Sequence, residues 1–429
     1  MMPAVDVEES APPVEAIEKP ASGLLGALQT RDFALLFSGQ LASEFGNGLV
    51  QLALPWLVLQ LTGSAFQLGL AYFIQFLPIL VFGLVGGVFV DRWDRRLTIV
   101  IVDSIRFVGF LSVGVIYYLG ALTAAHLYIV IFLEAALANF FNPARAALVP
   151  NLVDEDHLRS ANSLMEVSRY LGVFIAPTVG AYLTAQFGGA ALMLIDGVSF
   201  GISAVTVFAM MYRQPVSEAG VSLGFVQALG GVLDETKAGL QKIMETHLLK
   251  VAIILGFSLN LIIAPIQLLL PLFVQNVKHA GADYFGLLVA GLLLGSIAGA
   301  LAAPASARRF GLGRVTIVSV LILGAVVTVA SLPPMMWPPL LAMAVAGTCL
   351  GTLNVAQTTL IQGSTTDEER GRVSATYYTS TLGVRPFAFL IMGILASAVD
   401  IRLLFVFLGC MAVMLAFLLN RSSEVRETR

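Results

Sequence analysis

The chain has 429 residues, of which 58% are hydrophobic and only 12% charged, and its mean hydropathy is +0.88. That charged share is roughly half of what a soluble domain carries. Too few charges remain to cover a water-facing surface, so most of the chain must face lipid. A net charge of -3 excludes the basic footprint of a nucleic-acid binder. Cys349 and Cys410 both sit inside apolar stretches, which excludes a disulfide framework.

Asp6, Glu8, Glu9, Glu15 and Glu18 lie among Pro and Ala near the start, with Lys19 the single base. Such a segment cannot bury apolar surface, so residues 1–30 are expected to form a disordered cytoplasmic tail. The pattern of a cleavable secretory signal is not expected there. A helix crosses a bilayer core with about 20 apolar residues. Stretches of that kind fall near 34–61, 67–89, 97–119, 125–146, 162–185, 190–211, 250–274, 284–304, 315–332, 338–361, 373–397 and 402–420. The expected fold is therefore an all-α integral membrane protein of twelve transmembrane helices. A first six-helix bundle spans 31–212, a cytoplasmic linker 213–249, a second bundle 250–420 and a short cytoplasmic tail 421–429. The linker holds an amphipathic stretch, Leu233 to Leu249, with Lys237 and Lys242 on its polar side.

Lys and Arg placement sets the orientation. With the N-terminus inside, nineteen of the 24 Lys and Arg residues fall in inner segments and only Lys278 and Arg402 in outer ones. Both termini are thus expected in the cytoplasm, with the protein multi-pass in the plasma membrane. The two halves also echo each other. Arg95-Arg96 match Arg308-Arg309, Asn47 matches Asn260, Asn142 matches Asn354, Arg159 matches Arg372 and Pro177 falls close to Pro386, all at nearly constant offset. Six spans per repeat give two parallel repeats, an arrangement that places a solute site between them near the midplane.

The loop after the second span runs from Gly87 through Asp91 and Arg92 to Arg95 and Arg96. It resembles the signature loop of the major facilitator superfamily, with Asp94 where the usual pattern has glycine. Asn142 to Pro150, Ala161-Asn162-Ser163, Leu61 to Ser64 and Arg370 to Val373 resemble its drug and siderophore exporter branch, the branch of the enterobactin exporter and macrolide efflux proteins. Gly172, Ala176, Pro177, Gly180 and Ala181 resemble the span-five motif of antiporters, with alanine at two glycine places. The resemblance covers about residues 30–420 and implies the major facilitator fold and export. It further implies that Gly87 and Asp91 form a gating latch toward span eleven, with Arg92, Arg95 and Arg96 as ion-pair partners. Gly172, Ala176 and Gly180 recur every four residues, so they share a helix face on which backbones approach closely. A tight seam between the halves is the expectation, with Pro177 bending the helix.

A charge inside the bilayer costs about 2.5–3.5 kcal/mol, which makes each one a functional candidate. Glu44 and Glu134 both fall about ten residues, or roughly 15 Å, into their spans. By resemblance these spans line the central cavity, so the pair is expected to couple proton entry to solute exit; polar contacts with Asn47, Ser43 or a neighbouring helix are the alternative. Asn260, Gln267, Asn354 and Gln357 are expected to offer neutral groups from the second half, and Arg385 to offset a carboxylate or attract an anionic solute. Asp103 with Arg106, and Glu166 with Arg169, have the spacing of helical ion pairs and are expected to be structural, though Asp103 and Arg106 could equally reach partners in the signature loop. Asp196 has no assigned partner and is a further coupling candidate.

The expected function is secondary active export of a small amphipathic solute, a drug, siderophore or other metabolite, by proton antiport. A uniporter or importer of the same fold, or a non-transporting sensor, is the alternative. No phosphate-cradling Gly-x-x-x-x-Gly-Lys stretch is present. His126, His157, His247 and His279 are scattered. The chain is therefore expected to be no enzyme, to carry no cofactor or metal, and to act as a monomer whose partners are the solute, protons and the bilayer.

Overall fold

The computed structural model describes residues 25–83, 89–90, 92–214, 225–331 and 335–422. Six long helices come first: α1 (Arg31–Thr62), α2 (Ala65–Phe82), α3 (Arg95–Tyr118), α4 (Ala124–Leu148), α5 (Glu155–Phe187) and α6 (Gly189–Phe208). A linking helix, α7 (Phe225–Glu245), precedes α8 (His247–Val277), α9 (Ala282–Phe310), α10 (Leu312–Ala330) and α11 (Trp337–Gly363). The eleventh crossing is built from α12 (Asp367–Leu382) and α13 (Arg385–Ala398), and α14 (Ile401–Arg421) follows.

Eleven stretches of the described chain are long and apolar enough to cross a membrane. α1 is the twelfth by length, at 32 residues, and its Gln40, Glu44, Asn47 and Gln51 dilute its apolar run. Leu301, Val205, Phe208 and Phe417 are among many large apolar side chains left on the outer surface. Such a surface is stable against lipid tails and not against water.

Local chemistry starts and stops these helices. The side chains of Ser64, Asp94 and Thr123 accept backbone N–H groups at the starts of α2, α3 and α4, satisfying donors that a helix leaves orphaned. Gly63 ends α1 in the left-handed region at φ 60°, where a side chain would be strained. The Asp32 carboxylate accepts the N–H groups of Met211 at 2.9 Å and Tyr212 at 2.6 Å, tying the start of α1 to the end of α6. Pro177 and Pro271 each sit beside a π-helical turn, Leu171–Ile175 in α5 and Phe273–Val277 in α8.

α1 to α6 pack mainly among themselves, as do α8 to α14. The two sets meet where α2 lies on α13 and α5 lies on α9. Among the described residues, several close approaches joining them lie toward the end remote from the termini: Gly69 faces Gly393, Ala181 faces Gly286, and Trp56 stacks on Phe285. Gly383 meets Leu80 nearer the terminal end. Within the second set, Gly295 and Gly299 meet the backbone of Ala344 and Thr348, and Gly347 and Gly351 meet that of Leu292 and Ser296. Small residues at that spacing let α9 and α11 run backbone to backbone.

Three boundaries differ from the sequence expectation. Within the expected tail, Gly26–Gln29 form a 3-10 turn, and the buried Ala27 donates its N–H to Ser160 Oγ at 3.3 Å. A small residue fits under α5, which composition alone does not reveal. The linking helix ends at Glu245 rather than running on to Leu249, because Thr246 adopts an extended backbone and α8 starts at His247. The eleventh crossing breaks at Gly383 and Val384: Pro386 has no N–H to return to the carbonyl of Leu382.

Lys242 of α7 holds Glu369 of α12 at 3.0 Å, and Gly239 sits against Thr376. The Lys242 hydrogen bond and charge hold the Glu369 carboxyl below its ordinary value of 4.5. A depressed carboxyl contributes docking stability that is full above the ordinary value and lost as pH falls through the lowered one. Hydrogen exchange of the Phe225–Glu245 amides, corrected for intrinsic rate, is therefore expected to quicken as pH falls below about 4.5. Lys242→Gln is expected to remove that step.

Candidate functional site

The interior holds two adjoining cavities that share Gln51, Tyr72 and Gln267 on their walls. One, of about 320 Å³, is polar and lined by Glu44, Asn47, Gln75 and Glu134. The other, of about 240 Å³, is walled by Leu52, Ile266, Leu270, Phe285 and Met343. A polar lobe joined to an apolar one suits a molecule with both characters.

Glu44 and Glu134 thus share one wall, and each has an arginine. Arg145 Nη1 lies 2.6 Å from Glu44 Oε1 and also donates to Gln40 Oε1 at 3.2 Å. Arg106 Nη2 lies 3.6 Å from Glu134 Oε1, and its Nη1 lies 3.8 Å from Asp103 Oδ1. The two pairs are joined through buried side chains. Gln40 Nε2 donates to Ser203 Oγ at 3.3 Å, and Ser203 Oγ donates to Asp103 Oδ2 at 2.6 Å. Gln40, Ser203 and Asp103 have no exposed surface. The Arg106 guanidinium also lies over the rings of Phe141 and Phe200, 4.9 and 5.3 Å from their centres. Rings and carboxylates together offset part of the cost of keeping this cation out of water.

Asp103 and Arg106 form their expected pair, but Arg106 extends it to Glu134, making it part of the site rather than a local brace. Glu166 and Arg169 pair at 2.6 Å on an exposed face, as their spacing predicts. Asp196, fully buried, accepts from Ser199 Oγ at 3.0 Å. Gly46 of α1 makes room for its carboxylate.

Other expected residues divide. Asn47 and Gln267 line the cavity. Asn260 and Arg385 bind each other at 2.6 Å. Asn354 is exposed and Gln357 half-buried, and neither belongs to the walls of the two lobes. They share the face of α11 that carries Met343, Ala346 and Leu350, but stand about one and two turns nearer the terminal end, below the lobes. Gly87 and Asp91, the expected latch, lie outside the described residues. Among the described residues Arg95 and Arg96 reach backbone carbonyls, and their expected pairing with Asp91 lies outside those residues. Arg96 donates to the carbonyls of Val207 and Phe208, and Arg95 to that of Ala147 at 3.1 Å. They cap the carbonyl ends of α6 and α4, which carry partial negative charge.

The span-five motif also packs differently from expectation. Gly172 lies on the backbone of Glu44 and Gly180 on that of Leu49, so their seam is with α1 in the same set of helices. Ala181, one residue on, makes the contact with Gly286 of the other set. Four-residue spacing defines a face but not its partner.

Arg145, Gln40 and Ser203 escaped the sequence reading. Arg145 stands in the last turn of α4 and reads as an ordinary inner-end base. Gln40 and Ser203 are neutral and signal nothing without the fold.

The family model described as Major Facilitator Superfamily matches residues 36–384 and 252–428. The chain belongs to the major facilitator superfamily. It is a multi-pass membrane transporter of small molecules, and membership of a transporter family makes it no enzyme. Among its relatives, the multidrug efflux pump Tap of Mycolicibacterium fortuitum is 25% identical over 405 residues, 92% of this chain and 96% of that one. Macrolide efflux protein A of Streptococcus pyogenes is 24% identical over 412 residues, 92% and 96% of the two chains. The fold is shared with the nucleoside transporter NupG, at TM-score 0.67 and 13% identity over 94% of this chain and 100% of that one. A bacterial homologue of the iron transporter ferroportin, in its inward-facing state, matches at TM-score 0.66 and 17% identity over 92% and 99%.

Proposed function

We propose that this transporter exports a bulky amphipathic solute across the plasma membrane, driven by protons moving the opposite way, with both termini in the cytoplasm. The observation that carries the reading is the pairing of Glu44 and Glu134 on one cavity wall, each held by an arginine and joined by the buried Gln40–Ser203–Asp103 chain. The efflux pumps named above support the direction, as does the concentration of basic residues at the terminal end. In that orientation the seal at Gly69–Gly393 and Ala181–Gly286 faces outward, so this state loads solute from inside.

A proton on Glu44 cancels the charge that holds Arg145 at 2.6 Å. The released guanidinium then re-pairs or moves, and the balance between the two rocked states shifts by the difference in proton affinity. Glu134 acts on Arg106 in the same way. Asn47 and Gln267 orient the solute, its apolar body lies in the second lobe, and Asp91 with Gly87 latches the inner end once the helices have rocked.

Inverted membrane vesicles with an acid interior, supplied from outside with ethidium or with 8-anilinonaphthalene-1-sulfonate (a cationic and an anionic amphipathic probe), test this. Glu44→Gln and Glu134→Gln are each expected to lower gradient-driven accumulation about tenfold or more, while downhill exchange persists. Full gradient-driven transport by both variants rules the coupling out. A wild-type protein that moves the probes downhill but ignores the gradient is a uniporter.

A further inference from the structure

Arg106, Arg145 and Arg169 each face a carboxylate. Arg385 does not. Its Nε donates to Asn260 Oδ1 at 2.6 Å, and Asn260 is fixed the right way round because its Nδ2 donates to the carbonyl of Gly256 at 2.8 Å. The remaining two nitrogens, the fork that grips a carboxylate side-on, meet no acceptor among the described residues. They are not sealed in protein either, since Arg385 is half-buried.

The surroundings extend from this fork toward the cavity. The Arg385 Cζ lies 5.6 Å from the centre of the Phe76 ring, and that ring lines the polar lobe. Phe76 stacks on Phe389 at 5.3 Å, and Phe389 on Tyr72 at 4.5 Å. Tyr72 is on the wall of both lobes. An aromatic shelf therefore runs from an unneutralised guanidinium to the apolar lobe. Gly393, at the seal, is eight residues beyond Arg385 in α13, so the fork sits about 12 Å beneath the closed end.

We infer that Arg385, which stands beside the polar lobe behind Phe76 rather than on its wall, recognises an anion, and that the exported solute carries a carboxylate or similar anion on an aromatic or apolar body. The anion takes the free fork of Arg385, Asn260 holds the guanidinium in place, and the body lies along Phe76 and Tyr72, whose rings are backed by the fully buried Phe389. A guanidinium kept inside a membrane costs several kcal/mol on insertion scales, and a neutral amide with one ring face recovers little of it. An incoming anion supplies the missing partner. The inference names the solute chemistry of the export reading and rests on that reading only for the direction of transport.

The test is equilibrium binding, with no gradient, so it is independent of proton coupling. Full-length protein in lipid nanodiscs is titrated with radiolabelled 1-naphthylacetate and with 1-naphthylacetamide, which has the same body and no charge. The wild-type protein is expected to bind the anion about tenfold more tightly, the scale of one charge-assisted hydrogen-bonded contact. Arg385→Gln is expected to abolish that preference, and Arg385→Lys to restore part of it. Asn260→Ala, which leaves the charge but frees the guanidinium, is expected to weaken naphthylacetate binding and leave naphthylacetamide binding unchanged. Equal binding of the two probes, no binding of naphthylacetate by the wild-type protein, or a preference that survives Arg385→Gln overturns the inference. An export reading that fails in vesicles while the anion preference holds here leaves Arg385 as the recognition residue of a transporter driven differently.

Discussion

Gly393→Leu is expected to abolish transport and to hold the end remote from the termini open. Gly69 and Gly393 meet backbone to backbone: a Cβ on either would lie 2.8 Å from the other's Cα. The obstacle is main chain, so no rotamer change relieves it, and α2 and α13 must part. Overpacking of a close seam costs about 1–3 kcal/mol. In the proposed rocking cycle only the sealed state makes this contact, so that whole cost is expected to fall on one side of the equilibrium. At the upper figure it changes the ratio of the two states by about a hundredfold. Nitroxide labels at Ser64 and Ser397, with Cys349 and Cys410 first replaced, report the separation of the two helix ends. The expected result is a longer distance in Gly393→Leu and an intermediate distribution in Gly393→Ala. A distance unchanged from the parent, with transport intact, would show that the seam has slack.

The second large effect is expected at Arg106. Replacing it with methionine keeps the packing between Phe141 and Phe200 but leaves Asp103, Glu134 and the nearby Asp196 without their shared cation. Removing one partner of a buried ion pair costs about 3–5 kcal/mol, because the remaining charge has no compensation. Arg106→Met is therefore expected to unfold at markedly lower temperature in detergent. The double variant Asp103→Asn with Arg106→Met is expected to recover much of the loss, since a neutral amide still accepts from Ser203. A single variant as stable as the parent would show that the ion-pair cluster contributes no net stability.

The architecture was readable because lipid imposes a crude, long-range signal: apolar runs of fixed length, with bases gathered at one end. That signal survives uncertainty of a few residues at each boundary. Glu44 and Glu134 were readable as a pair for a related reason, since intramembrane acids are rare and each marks itself. Their partners were not. Arg145 is 101 positions from Glu44 and sits where bases are ordinary, so only the tilt of α4 against α1 reveals the contact. Gln40 and Ser203 carry no charge to draw notice, yet they join the two ion pairs. Gly172 and Gly180 showed their shared face in the sequence but not that α1 is what they touch. Asn354 fitted the repeat but stands a turn below the lobes, because an offset between halves does not fix depth relative to a cavity.

The interruption at Gly383 and Val384 makes the eleventh crossing two levers rather than one rod. Its lower lever is pinned sideways by the linking helix through Lys242 and Gly239, while its upper lever carries both Arg385 and the glycine that meets Gly69. A swing of the fourteen residues of α13 about that joint would part Gly393 from Gly69 at the far end while moving Arg385, beside the pivot, very little. Whatever sits on the fork of Arg385 would thus stay in place while its exit is uncovered above it.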